Sequence, residues 1–136
     1  MDDFSHTKDL YFATIEFYKT YVVCKMNEGI VLDIPKALAL HEQSRSFYNG
    51  LKYGFIFDRT IDYTIDPIVY IQCPYYADIN AMFIVAEKNA TKQIVQFEQN
   101  FSKYKLTVFN TLEEAQKEIK KVKFGEKSPL TEEPLG

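Results

Sequence analysis

A chain of 136 residues, 46% apolar and 15% aromatic, has the size and make-up of one globular domain with a real core. Its formal charge of −3 gives it no overall attraction to nucleic acid or to an anionic bilayer. No apolar run nears the roughly 20 residues that span a membrane, and the acidic start MDDFSHTKD is unlike a signal peptide, so a cytoplasmic protein without a membrane span is expected. Cys24 and Cys73 sit inside apolar runs and read as buried thiols, not as a disulfide framework. No C-x-x-C pair and no Cys/His cluster with metal spacing occurs, so neither metal nor cofactor is expected.

Residues 1–9 read as a polar lead. Leu10–Phe17 and Tyr21–Met26 are rich in aromatic and β-branched residues and predict two strands. With only Tyr18-Lys19-Thr20 between them, they can pair only as an antiparallel hairpin. Asn27-Glu28-Gly29 is a turn by composition. Asp33 and Pro35 then open a helix to about Tyr48, since Asp caps and Pro is tolerated in a first turn. Its apolar stripe is Ala37, Leu40, Phe47 and Leu51, interrupted by Ser44; His41 beside it reads as a packing residue, and Asn49-Gly50 stops the helix.

Tyr53–Phe57 is apolar at nearly every position, which predicts a central parallel strand buried on both faces. A charged, hydroxyl-rich loop follows to Ile65. Asp66-Pro67 can then open one or two helical turns over Ile68–Gln72, although the β-branched content also allows an extended segment. Cys73–Asn80 is a loop with adjacent Tyr75 and Tyr76. Ala81–Ala86 is a second continuous apolar strand. Asn89 can cap a helix whose stripe Ala90, Ile94, Phe97, Phe101 should face the core. Tyr104–Phe109 predicts the last strand. Thr111 to Glu114 has the form of a capping box, before a helix with Leu112, Ala115, Ile119 and Val122 on one face. Residues 125–136 hold two prolines and little to bury, and read as a mobile tail.

The order β-β-α-β-α-β-α-β-α predicts an α/β domain over residues 10–124: a five-stranded mixed sheet, its N-terminal antiparallel hairpin followed by βαβαβα, with helices packed on it. This order, together with YGFIFDRTIDYTIDP and AMFIVAEKNATKQIVQFEQNF, resembles the STAS-like fold from about Leu10 to Val122. That is the fold of anti-sigma-factor antagonists and of small bacterial STAS/SEC14-like proteins. The resemblance implies a non-enzymatic regulatory module that binds another protein; its SEC14-like side implies a carrier of a small apolar or amphipathic ligand. In the antagonists a phosphorylated serine follows an Asp at the start of the helix after the central strand. This chain lacks that motif and offers Asp58, Thr60, Asp62, Tyr63, Thr64 and Asp66 in its place.

Ligands of open α/β sheets usually bind beyond the carboxyl ends of the parallel strands. The candidate binding residues at that edge are Arg59, Thr60, Tyr63, Thr64, Asp66 and Asn89, where helix amino termini and Arg59 could hold a small anion. Alternatively, Asp66 and Asn89 are only caps, and Arg59 is held by Asp58, Asp62 or Asp66. Tyr75 and Tyr76 form a second candidate contact patch, or else cover the sheet edge. No catalytic residue is assigned: His6 and His41 lie away from the favoured edge, and no Gly-rich phosphate loop occurs. A small enzyme is therefore the third reading. The oligomeric state is open, with a homodimer allowed.

Overall fold

The computed structural model describes residues 4–73 and 77–124. In chain order its elements are strands β1 (Phe4–Asp9), β2 (Ala13–Tyr18), β3 (Tyr21–Met26) and β4 (Val31–Leu32), helix α1 (Ile34–Tyr48), strands β5 (Tyr53–Asp58) and β6 (Thr64–Ile65), helix α2 (Ile68–Gln72), strand β7 (Ile79–Val85), helix α3 (Asn89–Glu98), strand β8 (Leu106–Phe109) and helix α4 (Leu112–Ile119). A mixed six-stranded sheet runs β1-β2-β3-β5-β7-β8, and β4 and β6 form a separate parallel pair. β5 is buried at all six positions and lies parallel to β3 and β7, as its unbroken apolarity predicts.

β3, β5, β7 and β8 are added in one direction across the sheet, all parallel. Successive crossovers of one hand must then put their helices on one face. Side chains of α1, α2 and α3 do share one core cluster with Phe55, Phe57 and Ile84, whereas Ala115 and Ile119 of α4 pack on the opposite face with Ile56 and Val85. The close seat of α4 explains Gly54 in the central strand: a Cβ there would lie 2.5 Å from the Ile119 Cδ1 atom. The strand order never reverses, so the crevice that a reversal opens in doubly wound sheets is not built into this topology.

The sheet has six strands, not five, because the polar lead forms β1. All six of its residues are exposed, so no apolar alternation marks it; it is held by its ladder to β2. LYFATIEF is correspondingly not one strand. A tight turn at Tyr11-Phe12 divides it, with the Leu10 amide donating to the Ala13 carbonyl at 2.8 Å. Neither turn residue needs a positive φ, so no Gly or Asn betrays the turn, and Phe12 is apolar because it packs into the core.

The helix signals hold in part. The Asp33 carboxylate accepts from the Lys36 amide at 3.2 Å, and α1 closes at Asn49 and Gly50, both at positive φ. Its buried face is Ala37, Leu40, His41, Ser44 and Tyr48, while Phe47 and Leu51 are exposed. Ser44 does not break that face, because its hydroxyl donates to the Leu40 carbonyl at 2.9 Å. In α4 the Thr111 hydroxyl accepts from the Glu114 amide, and Ala115 and Ile119 are buried as expected. In α3 the expectation fails by one residue. The buried side chains are Thr91, Val95 and Glu98, whereas Ile94 and Phe97 are exposed and Phe101 packs only at the margin of the core. Lys88, not Asn89, occupies the N-cap position. No helix of the described residues is long and apolar enough to cross a membrane. Residues 125–136, read as a tail, lie outside the described residues.

Candidate functional site

The carboxyl end of β5 delivers Asp58 and Arg59 to the edge singled out by the sequence, and the two side chains part there. Asp58, itself buried, closes a local turn, accepting from both the amide and the hydroxyl of the exposed Thr60 at 3.1 and 2.8 Å. Arg59 turns inward. Its side chain is 2% exposed and meets that of Glu98, 3% exposed, at 2.7 Å. Its other terminal nitrogen donates to the Tyr63 carbonyl at 3.2 Å, and the guanidinium carbon lies 5.0 Å from the centre of the Tyr63 ring. The Tyr70 hydroxyl donates to the same Glu98 oxygen at 2.8 Å.

Glu98 reaches this point because it follows Thr91 and Val95 at helical spacing on the inner face of α3. Burial pulls the Arg59 guanidinium down, but Tyr63 and Glu98 more than offset this and hold it above its ordinary value. Arg59 is thus paired across the core with Glu98, and not with Asp58, Asp62 or Asp66. Those three carboxylates are engaged elsewhere: Asp58 with Thr60, Asp66 with the Ile68 amide at 3.1 Å, and Asp62 with Lys88 at 2.9 Å on the surface.

Between the β5–β6 loop and the start of α3 lies an open depression of about 500 Å³. Ile61, Asp62, Tyr63 and Thr64 form one wall, Lys88, Ala90, Thr91 and Ile94 the other, and Gly29 and Arg59 complete the lining. Of the candidate residues, the structure brings together Arg59, Tyr63 and Thr64. Thr60, Asp66 and Asn89 do not line the depression: the Asp66 carboxylate accepts from the Ile68 amide just ahead of α2, whose N-cap position is Pro67, and Asn89 is the first residue of α3. Tyr75 and Tyr76 lie outside the described residues. Tyr63 is itself core, and its hydroxyl has no hydrogen-bond partner among the described residues.

The residues that sequence reasoning passed over are Ile61, Ile94 and Phe97, which are 50%, 48% and 57% exposed. Ile61 carried a signal, since an isoleucine between Thr60 and Asp62 in a polar loop belongs to no strand or helix period. Ile94 and Phe97 were assigned to the core because their spacing is helical; helical spacing does not say which way a stripe faces.

His41 and Cys24 are buried. His41 packs against Phe55 in a tilted arrangement at 4.9 Å between ring centres, and its Nδ1 lies 3.4 Å from the Tyr53 hydroxyl. Burial pushes it down to about 3, so it is neutral at physiological pH. Burial, and secondarily Glu16, pushes the Cys24 thiol up, which leaves it protonated and unreactive. Among the described residues no three His, Cys, Asp or Glu side chains converge as metal ligands. In comparison with known proteins the chain matches no family model and no curated protein.

Proposed function

We propose that this chain is a non-enzymatic regulatory or protein-interaction module of the STAS-like type, and that it binds an apolar segment of a partner protein at the carboxyl edge of its sheet. The observation that carries this reading is the half-exposure of Ile61, Ile94 and Phe97. Ile61 and Ile94 both line the depression, and Phe97 continues the same side of α3 three residues on. Contiguous exposed apolar surface on a domain of this size is a common mark of an interaction site. Anion capture has less support, because Arg59 is committed to Glu98 and Lys88 to Asp62.

A second reading, the carrier of a small apolar or amphipathic ligand, draws on the volume of the depression, which falls within the roughly 300–1,000 Å³ of ligand sites. The exposed walls at Asp62, Thr64 and Lys88 favour a protein partner over an enclosed small molecule.

Affinity capture from the native cell, with quantitative mass spectrometry, tests the proposal. The double variant Ile94→Asp, Phe97→Asp should lose proteins that the wild type retains while melting nearly unchanged. An identical set captured by both would overturn it.

A further inference from the structure

We infer that β1 is a self-association edge, at which a second copy of the chain pairs antiparallel about a two-fold axis through Thr7 and joins the two sheets. Among the described residues β1 pairs with β2 alone. Leu10 and Ala13 exchange hydrogen bonds in both directions. Antiparallel ladders alternate, so Lys8 and His6 also face β2 with their main-chain groups, and Thr7 and Asp9 present theirs to the outside. Such an edge is a template for another strand.

Three features select a second copy and one register. A two-fold axis through Thr7 sets Lys8 beside His6 of the other copy and Asp9 beside its Ser5, whereas moving the axis to Lys8 or Asp9 would oppose two like charges. His6 stacks on Phe17 at 4.9 Å and meets Phe47 at 5.3 Å, and Phe47 is still 37% exposed. The incoming Lys8 would lay its stem and ammonium over these rings. Finally, a register shift between Phe4 and His6 ends the regular ladder. The open window is therefore short, and an isologous contact about the axis uses it up, giving a closed dimer and not a filament. This surface lies on the strand farthest from β8 and is independent of the depression beside α3.

Sedimentation velocity across a wide concentration series tests the inference. The wild type should shift from the 15.9 kDa chain toward twice that mass. Thr7→Pro removes an outward amide, which an edge strand tolerates, so it should abolish the dimer with the circular dichroism retained. Lys8→Glu leaves the backbone untouched and should weaken the dimer several-fold, which covers the case of a poorly folded proline variant. A wild type that stays monomeric throughout, or a dimer that survives both changes, overturns the inference. So does a dimer dissolved by Phe97→Asp alone, since that would move the contact to α3.

Discussion

Arg59 and Asp62 stand three residues apart in one loop, and each forms an ion pair with a residue at one end of α3. Arg59–Glu98 is almost wholly buried, with two further hydrogen bonds from Arg59 and Tyr70. Asp62–Lys88 has both side chains more than half exposed. The two pairs differ little in length, at 2.7 and 2.9 Å, so distance cannot tell them apart; solvent does. In water an ion pair is screened and contributes little. In the core each partner makes the other tolerable, and the whole loop is hung from the far end of α3. One pair is therefore a structural pin, and the other borders a surface open to solvent.

The largest effect that tests this contrast should come from Arg59→Ala. It leaves the Glu98 carboxylate in the core with the Tyr70 hydroxyl but no cation, and takes a donor from the Tyr63 carbonyl, which should cost about 3–5 kcal/mol. Urea unfolding would read this as a lower midpoint. A loss below about 1 kcal/mol would mean that Glu98 finds water and that the pair is not a pin. Replacing both partners by apolar residues, Arg59→Met with Glu98→Leu, should recover most of the loss, because the penalty belongs to the unpaired charge.

A second buried group separates burial with a charged partner from burial alone. Arg59 is buried as a cation against the Glu98 carboxylate. His41, beside Phe55 and the Tyr53 hydroxyl, is pushed down to about 3 by burial. The unfolded chain takes up a proton at His41 near pH 6.5 and the folded one does not, so His41 leaves stability unchanged above that pH and lowers it as pH falls toward 3. Between pH 6.5 and 4.5 the loss should be about 2–3 kcal/mol. His41→Phe, which keeps an aromatic ring against Phe55, should flatten that limb of the stability profile. An identical acid limb in the variant would show that His41 is not its source.

The fold was legible where chemistry and period agree. Asp33 with Pro35, Asn49-Gly50 and Thr111 marked helix ends that the structure shows, and the continuous apolarity of Tyr53–Phe57 marked the central strand. β1 was not legible, because an edge strand held by its backbone needs no apolar pattern. α3 was misread because it carries two candidate stripes. Ala90, Ile94, Phe97 and Phe101 look like core, while Thr91, Val95 and Glu98 look like surface. The structure buries the second, since Glu98 is needed by Arg59 and Thr91 can go inside at little cost. At the site, the sequence offers Asp58, Asp62 and Asp66 as partners of Arg59, but its partner Glu98 lies 39 residues away and no local spacing reports it.

That inversion of α3 separates the exposed positions of the helix from its buried ones. Ile94→Asp and Phe97→Asp alter side chains already about half exposed, so each should change stability by no more than about 0.5–1 kcal/mol. Val95→Asp, one residue along on the inner face and fully buried, should unfold the domain or come close to it. Equal tolerance at positions 94 and 95 in a thermal-shift assay would reverse the assignment of faces.

The smallest effect should come from the exposed pair. Lys88→Ala removes the ammonium that reaches both oxygens of Asp62, at 3.1 and 2.9 Å. Two-point contact is good geometry, but both side chains are open to water, and fixing a long lysine costs rotamer entropy. Lys88 also sits at the N-cap position without a capping side chain, where a positive charge opposes the helix dipole and subtracts from what the pair contributes. The net change should be about 0.5 kcal/mol or less, and salt should shrink it further, because the Debye length falls from about 10 Å at 0.1 M to about 3 Å at 1 M. Arg59→Ala should keep its full effect over the same salt range. A Lys88→Ala loss that matched Arg59→Ala and ignored salt would show that the loop is pinned at both ends of α3, and that the wall of the depression formed by Ile61 and Asp62 is as rigid as the core beneath it.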